Sequence, residues 1–196
     1  MNLSSETLMF LKNFQAINTN LILHPGNTLY TQNNSKSIFA MVGIKETIPQ
    51  LVHIYDLPSL LGVLSLSDAP EIEFTDTHLA IVNKNGGTFD YYYSAPNVVF
   101  GPPAKEPKLQ DVYGFDLSKE DISLIMKASG IIGATTLSVK TQDDDVVMSL
   151  ADPKSSTSNA YRKIVGKNKG LDFDIRMDVT SLKIIPDDYS VSLTSK

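Results

Sequence analysis

The 196-residue chain contains no cysteine. That absence removes disulfides, cysteine nucleophiles and thiolate metal sites together, and it suits a reducing compartment. No run of about 18 apolar residues occurs, so no membrane-spanning helix is expected. Asn2, Ser4 and Glu6 stand where an export signal would carry Lys or Arg, and no such signal is read there. Positive charge is also scarce: 17 Lys and Arg against 22 Asp and Glu leave a net charge of −5. A protein that lies on nucleic acid is usually basic, because phosphate neutralisation supplies most non-specific affinity. If DNA is a partner, the cations must be confined to one surface.

Catalytic chemistry is equally sparse. Gly86-Gly87 lacks the lysine of a phosphate-binding loop and reads as a hairpin. His24, His53 and His78 are isolated and share no metal-ligand spacing, and no serine sits in a nucleophile elbow. The triplet Asp143-Asp144-Asp145 has the chemistry for a hard cation, but no other ligands cluster near it, so it reads as a solvated hairpin tip. Tyr91-Tyr92-Tyr93 offers rings for base stacking. Alternate residues of a strand face opposite sides, however, so core-plus-surface packing is the simpler reading. No catalytic residue, metal or cofactor is expected.

What the chain does have is a repeated helix. Leu3–Ile17 (LSSETLMFLKNFQAI) falls on Leu117–Ile131 (LSKEDISLIMKASGI) when the sequence is shifted by 114 positions. At 100° per residue, Phe10, Leu11, Phe14 and Ile17 form one apolar stripe, and Leu124, Ile125, Ala128 and Ile131 take the same angles in the second copy. The opposite faces carry Ser5, Lys12 and Ala16, and Lys119 and Ser123. Two readings of these lysines stand at this point: a basic surface for phosphates, or ordinary solvated helix positions.

Taken in order, Ser4 caps the first helix, and Asn18-Thr19-Asn20 ends it. Short strands are expected at 21–23, 28–31, 38–44 and 50–54, separated by turn residues. Asp56 then caps a shorter helix with Pro58 in its first turn, and strands follow at 71–74, 78–83 and 88–93. From Ala95 to Val112 four prolines mark a stiff connector. Helix 117–129 follows, with Ser118 and Asp121 in capping-box spacing, then strands at 136–140, 146–150, 161–165, 171–175 and 189–193. Asp178-Val179-Thr180-Ser181-Leu182 matches Asp56-Leu57-Pro58-Ser59-Leu60 at an offset of 122, so a duplicated short helix is expected.

The fold class is therefore α+β: two similar domains, 1–100 and 115–196, joined by a connector at 101–114, each with two helices packed on antiparallel sheets. Measured against the first domain, the second is about 25–35 residues short, and truncation of its C-terminal strands is expected.

Leu3-Ser4, Leu11-Lys12-Asn13-Phe14 and Ile17-Asn18, together with Ile54-Tyr55-Asp56-Leu57 running into Leu61-Gly62-Val63-Leu64-Ser65-Leu66, resemble the sliding clamps of T-even-type phages. The resemblance covers the first half well; the second half follows mainly by its order of elements. It implies DNA-clamp domains that form part of a homotrimeric ring around duplex DNA, a non-enzymatic processivity factor for the replicative polymerase. By position it assigns Lys12, Asn13, Lys119 and Lys127 to the hole, with Lys183 on a fourth helix. It also implies a groove near the connector for a C-terminal polymerase peptide, with Val112 and Tyr113 as candidate lining residues. An ATP-dependent clamp loader and action in the cytoplasm of an infected bacterium are implied too. The rival reading is a monomeric factor that lies on DNA through a broad basic patch including Lys163, Lys167 and Lys169.

Overall fold

The computed structural model describes residues 1–105, 111–155 and 157–194. The chain divides into two compact units, Met1–Pro107 and Lys108–Lys196.

The first unit opens with α1 (Ser5–Gln15), whose start is fixed by the Ser4 hydroxyl accepting from the Thr7 amide. Thr7, Leu11 and Phe14 are its buried positions, and Phe10 lies half-buried beside them. Strands β1 (Leu21–Leu23) and β4 (Val52–Ile54) pair antiparallel, as do β2 (Gly26–Gln32) and β3 (Phe39–Ile48). α2 (Leu57–Leu64) begins at Asp56, whose carboxylate accepts the Ser59 amide, and Pro58 sits in its first turn. A meander follows: β5 (Glu71–Phe74), β6 (His78–Val82) and β7 (Thr88–Tyr92), with β6 in the middle. The β6–β7 turn needs Gly86, whose φ of 82° favours glycine. α1 packs against α2 and β3 over a core that includes Leu21, Leu29, Ile54, Leu57 and Ile81. Each such side chain contributes about 1.5–3 kcal/mol by leaving water.

In the second unit, β8 (Asp111–Leu117) pairs with β13 (Tyr189–Thr194). α3 (Lys119–Ile132) starts with the expected capping box between Ser118 and Asp121 and stops at Gly133 in the left-handed conformation. The four-stranded antiparallel sheet runs β11 (Tyr161–Lys167), β10 (Asp145–Ala151), β9 (Thr136–Gln142), β12 (Asp174–Asp178). Asp143, at φ 52°, forms the tip between β9 and β10. Ile122, Ile125, Met148 and Leu150 centre the core.

Four expectations are corrected. The residues before the second long helix are not all connector, since β8 occupies 111–117 and needs β13 as its partner. The buried stripe of α3 is Ile122 and Ile125, with Ile132 packed beside them, whereas Leu124 is 45% exposed and Ile131 82% exposed. The short helix is not duplicated among the described residues. Asp178 caps only a single 3₁₀ turn, Val179–Ser181, and Pro186 lies too close downstream for a helix to continue. The strand expected at 171–175 forms at 174–178, because Leu171 and Phe173 pack against the core from an irregular approach.

Candidate nucleic-acid interface

In the first unit, Ser5, Met9, Lys12 and Ala16 are exposed at spacings of four and three, which places them on one face of α1. Asn13 flanks that face, half-buried. Lys12 is in the last turn of α1, where a cation also complements the helix dipole, so its place has a structural reason as well. The exposed side of α2 offers Ser59 and Gly62 and no cation. In the second unit, Lys119 and Lys127 are both exposed on α3. Eight residues separate them, about 12 Å along the axis and about 80° around it.

The starts of both long helices are occupied by carboxylates. Glu46, on β3, accepts from the Ser4 amide and from the Thr7 hydroxyl. Asp188 accepts the Lys119 amide at 2.8 Å, and Asp121 accepts the Ser118 amide at 3.2 Å. Lys163 binds the other oxygen of Asp121 and holds that carboxyl below the usual carboxylate range. Burial alone would push Glu46 up, but the hydrogen bonds from Thr7 and Ser4 outweigh it and hold the group low.

Among the described residues, the cations divide by partner. Lys45 pairs with Glu6 at 2.8 Å, Lys167 with Asp145 at 2.6 Å, Arg176 with Asp174 at 2.6 Å, and Lys163 with Asp121. Lys12, Lys119 and Lys127 join no ion pair. Two of the three lysines of the broad-patch reading, Lys163 and Lys167, are thus already committed to acids. Lys183 is half-buried in the irregular segment after the 3₁₀ turn, its amide donating to the Ser181 carbonyl, and no fourth helix carries it.

Tyr91 and Tyr93 pack on the first unit's core, while Tyr92 is 67% exposed and lies on His78. The triplet thus alternates between core and surface. No group of three His, Asp or Glu is placed to hold a metal ion among the described residues.

Of the two groove candidates, Tyr113 is buried in the second unit's own core, its hydroxyl donating to the Lys167 carbonyl at 3.2 Å. The Val112 side chain lies outside the described residues. Sequence reasoning missed a surface pocket of about 410 Å³ in the first unit, lined by Gln32, Asn33, Asn34, Lys36, Val99, Phe100 and Gly101. Buried Asn18 builds it: its amide donates to the carbonyls of both Gln32 and Phe100, tying the end of β2 to the start of the connector. The available signal was Val98-Val99-Phe100, an apolar triple just before the prolines.

Residues 4–94 match the family model described as DNA polymerase processivity factor. The sliding clamp of Vibrio phage KVP40 is 28% identical over 98% of this chain and 90% of its own length. Those of Escherichia phage RB69 and Enterobacteria phage T4 are 28% and 25% identical, over 98% and 100% of this chain and 87% and 88% of their own lengths. Among solved structures, the PCNA2–PCNA3 complex of Sulfolobus tokodaii matches with a TM-score of 0.69 at 12% identity, covering 100% of this chain and 90% of that one. PCNA of Thermococcus kodakaraensis gives 0.66 at 10% identity, covering 99% of this chain and 89% of that one. These two likenesses show the fold. The chain has the clamp fold and is similar along nearly its whole length to the sliding clamps of T-even-type phages.

Proposed function

We propose that this chain is the sliding clamp of a phage replication machinery, a non-enzymatic ring of three copies that encircles duplex DNA and tethers the replicative polymerase. The observation that carries this reading is the alignment with phage sliding clamps along 98–100% of the chain. The unpaired lysines on the exposed faces of α1 and α3 support it, since a topological link needs only a few mobile phosphate contacts. In this reading residues 1–100 form one clamp domain and 115–196 the second, joined through 101–114, of which 111–114 already belong to β8. Lys12, Asn13, Lys119 and Lys127 face the DNA. Lys183 contributes from a loop. The polymerase's C-terminal peptide docks at the pocket beside Val99 and Phe100, an ATP-dependent loader opens the ring, and the site of action is the cytoplasm of the infected bacterium.

Light scattering across a range of protein concentrations tests the assembly, with a species near three chain masses expected. Retention on nicked circular DNA at high salt, with rapid loss after linearisation, tests encirclement. A monomer at every concentration, or release from circles at the salt that releases it from linear duplex, overturns the ring.

A further inference from the structure

The chain has only two arginines, Arg162 and Arg176, and both lie in one cross-strand row of the second unit's four-stranded sheet. Arg162 on β11 stands opposite Ser149 on β10, Ser149 opposite Ser138 on β9, and Ser138 opposite Arg176 on β12. The row spans three strand spacings, roughly 14 Å. Val146, Met148 and Leu150 alternate with Ser149 on β10 and are buried, so Ser149 and its row occupy the face turned away from the core. The small serines leave a floor, the arginines and Lys140 rise around it, and the resulting depression holds about 310 Å³. In a chain of net charge −5 this is a local concentration of cations, and neither Arg162 nor Lys140 has an ion-pair partner among the described residues.

We infer that this row is a docking face for an acidic segment of a partner protein, whose carboxylates take the place of the missing counter-charges. Arginine presents a planar donor fork matched to carboxylates, and the serine hydroxyls between the forks add neutral donors. Arg176 already shows this geometry on a carboxylate, donating through Nε at 3.0 Å and Nη2 at 2.6 Å to Asp174. The face suits nucleic acid poorly. It carries no aromatic ring for stacking, and three cations, one held by Asp174, are few for a phosphate backbone. Beside the row, Ile164, exposed opposite the buried Val147, offers an apolar ledge for a flanking side chain. The inference does not depend on the ring.

The test is fluorescence anisotropy at low salt with the full chain and a short labelled peptide of alternating glutamate and glycine. A single-stranded oligonucleotide of equal charge serves as comparison. Arg162→Ala is expected to weaken peptide binding about five- to tenfold, as loss of a bidentate charge-assisted pair does. Asp174→Asn frees Arg176 and is expected to tighten binding about two- to threefold, a gain that misfolding does not produce. Lys127→Ala, on α3, leaves peptide binding unchanged. Absence of peptide binding, indifference to both Arg162→Ala and Asp174→Asn, or an equal loss in Lys127→Ala overturns the proposal. Tighter binding of the oligonucleotide with the same dependence on Arg162 assigns the row to phosphate and overturns it as well. So does a fall in native mass on Arg162→Ala, which assigns the face to a second copy.

Discussion

The hydroxyl of Thr7, on α1, donates to the carboxylate of Glu46, on β3, at 2.6 Å. The other oxygen of Glu46 accepts the Ser4 amide, so a strand side chain closes the start of a helix whose own cap, Ser4, is already in use. Glu46→Ala is expected to cost about 1–2 kcal/mol in urea unfolding, with Glu46→Gln costing less. The sign with pH follows from the lowered pKa. The folded state holds its proton less readily than the unfolded chain, so this stabilisation is complete above the ordinary carboxylate range and is lost as pH falls through the lowered folded value. The wild type is expected to lose its advantage over Glu46→Gln in that acid window; a constant gap down to the lowest pH sinks the assignment.

Asp121 carries two duties, the capping box of α3 and the pair with Lys163 on β11. Asp121→Asn is therefore expected to destabilise more than Lys163→Met, by about 1–2 against about 0.5–1 kcal/mol. Because Lys163 holds the carboxyl low, the pair too fades as pH falls through the depressed folded value. Thermal unfolding of both variants at neutral and acid pH checks the order and the convergence.

A Cβ built on Gly166 would clash with the Tyr113 hydroxyl, and Tyr113 is buried. Gly166→Ala is expected to cost about 1–3 kcal/mol by overpacking, and Tyr113→Phe alone about 1 kcal/mol through the lost bond to Lys167. In the double variant the phenylalanine vacates the clashing position. The two costs then add to less than their sum, and a double-mutant cycle measures the coupling.

Lys12 and Lys127, if they face phosphates, each contribute about one unit to the slope of log affinity against log salt on short linear duplex. Lys12→Ala and Lys127→Ala are expected to reduce that slope. Lys84→Ala, in the exposed β6–β7 turn, leaves it unchanged. Equal effects at all three positions argue for diffuse charge instead.

Much of the fold was legible locally. Ser4, Asp56 and Ser118 announce helix starts through their side-chain oxygens, and all three caps form as the spacing predicts. β8 was not legible, because its reason to exist is β13, more than seventy residues away. The face of α3 was misread because Leu124 and Ile131 count as apolar in any periodicity sum, whereas the sheet beneath selects Ile122 and Ile125. Ile125→Ala is accordingly expected to cost about 2–5 kcal/mol and Ile131→Ala no more than about 0.5. Of the candidate site, Lys12, Lys119 and Lys127 lie exposed on α1 and α3. The Val99–Phe100 pocket was missed because it is held by Asn18, 82 residues before the Phe100 carbonyl it anchors.

With Glu46, Asp121 and Asp188 accepting the Ser4, Ser118 and Lys119 amides at the two helix starts, an anion meeting either start faces a carboxylate of its own sign. What remains is ammonium on four-carbon stems, which follow a moving charge instead of trapping it. Where these lysines face the duplex as proposed, the surface is expected to behave as a bearing: its roughness is set by how fast lysines change rotamer, on a picosecond-to-nanosecond scale, and not by the breaking of rigid hydrogen bonds.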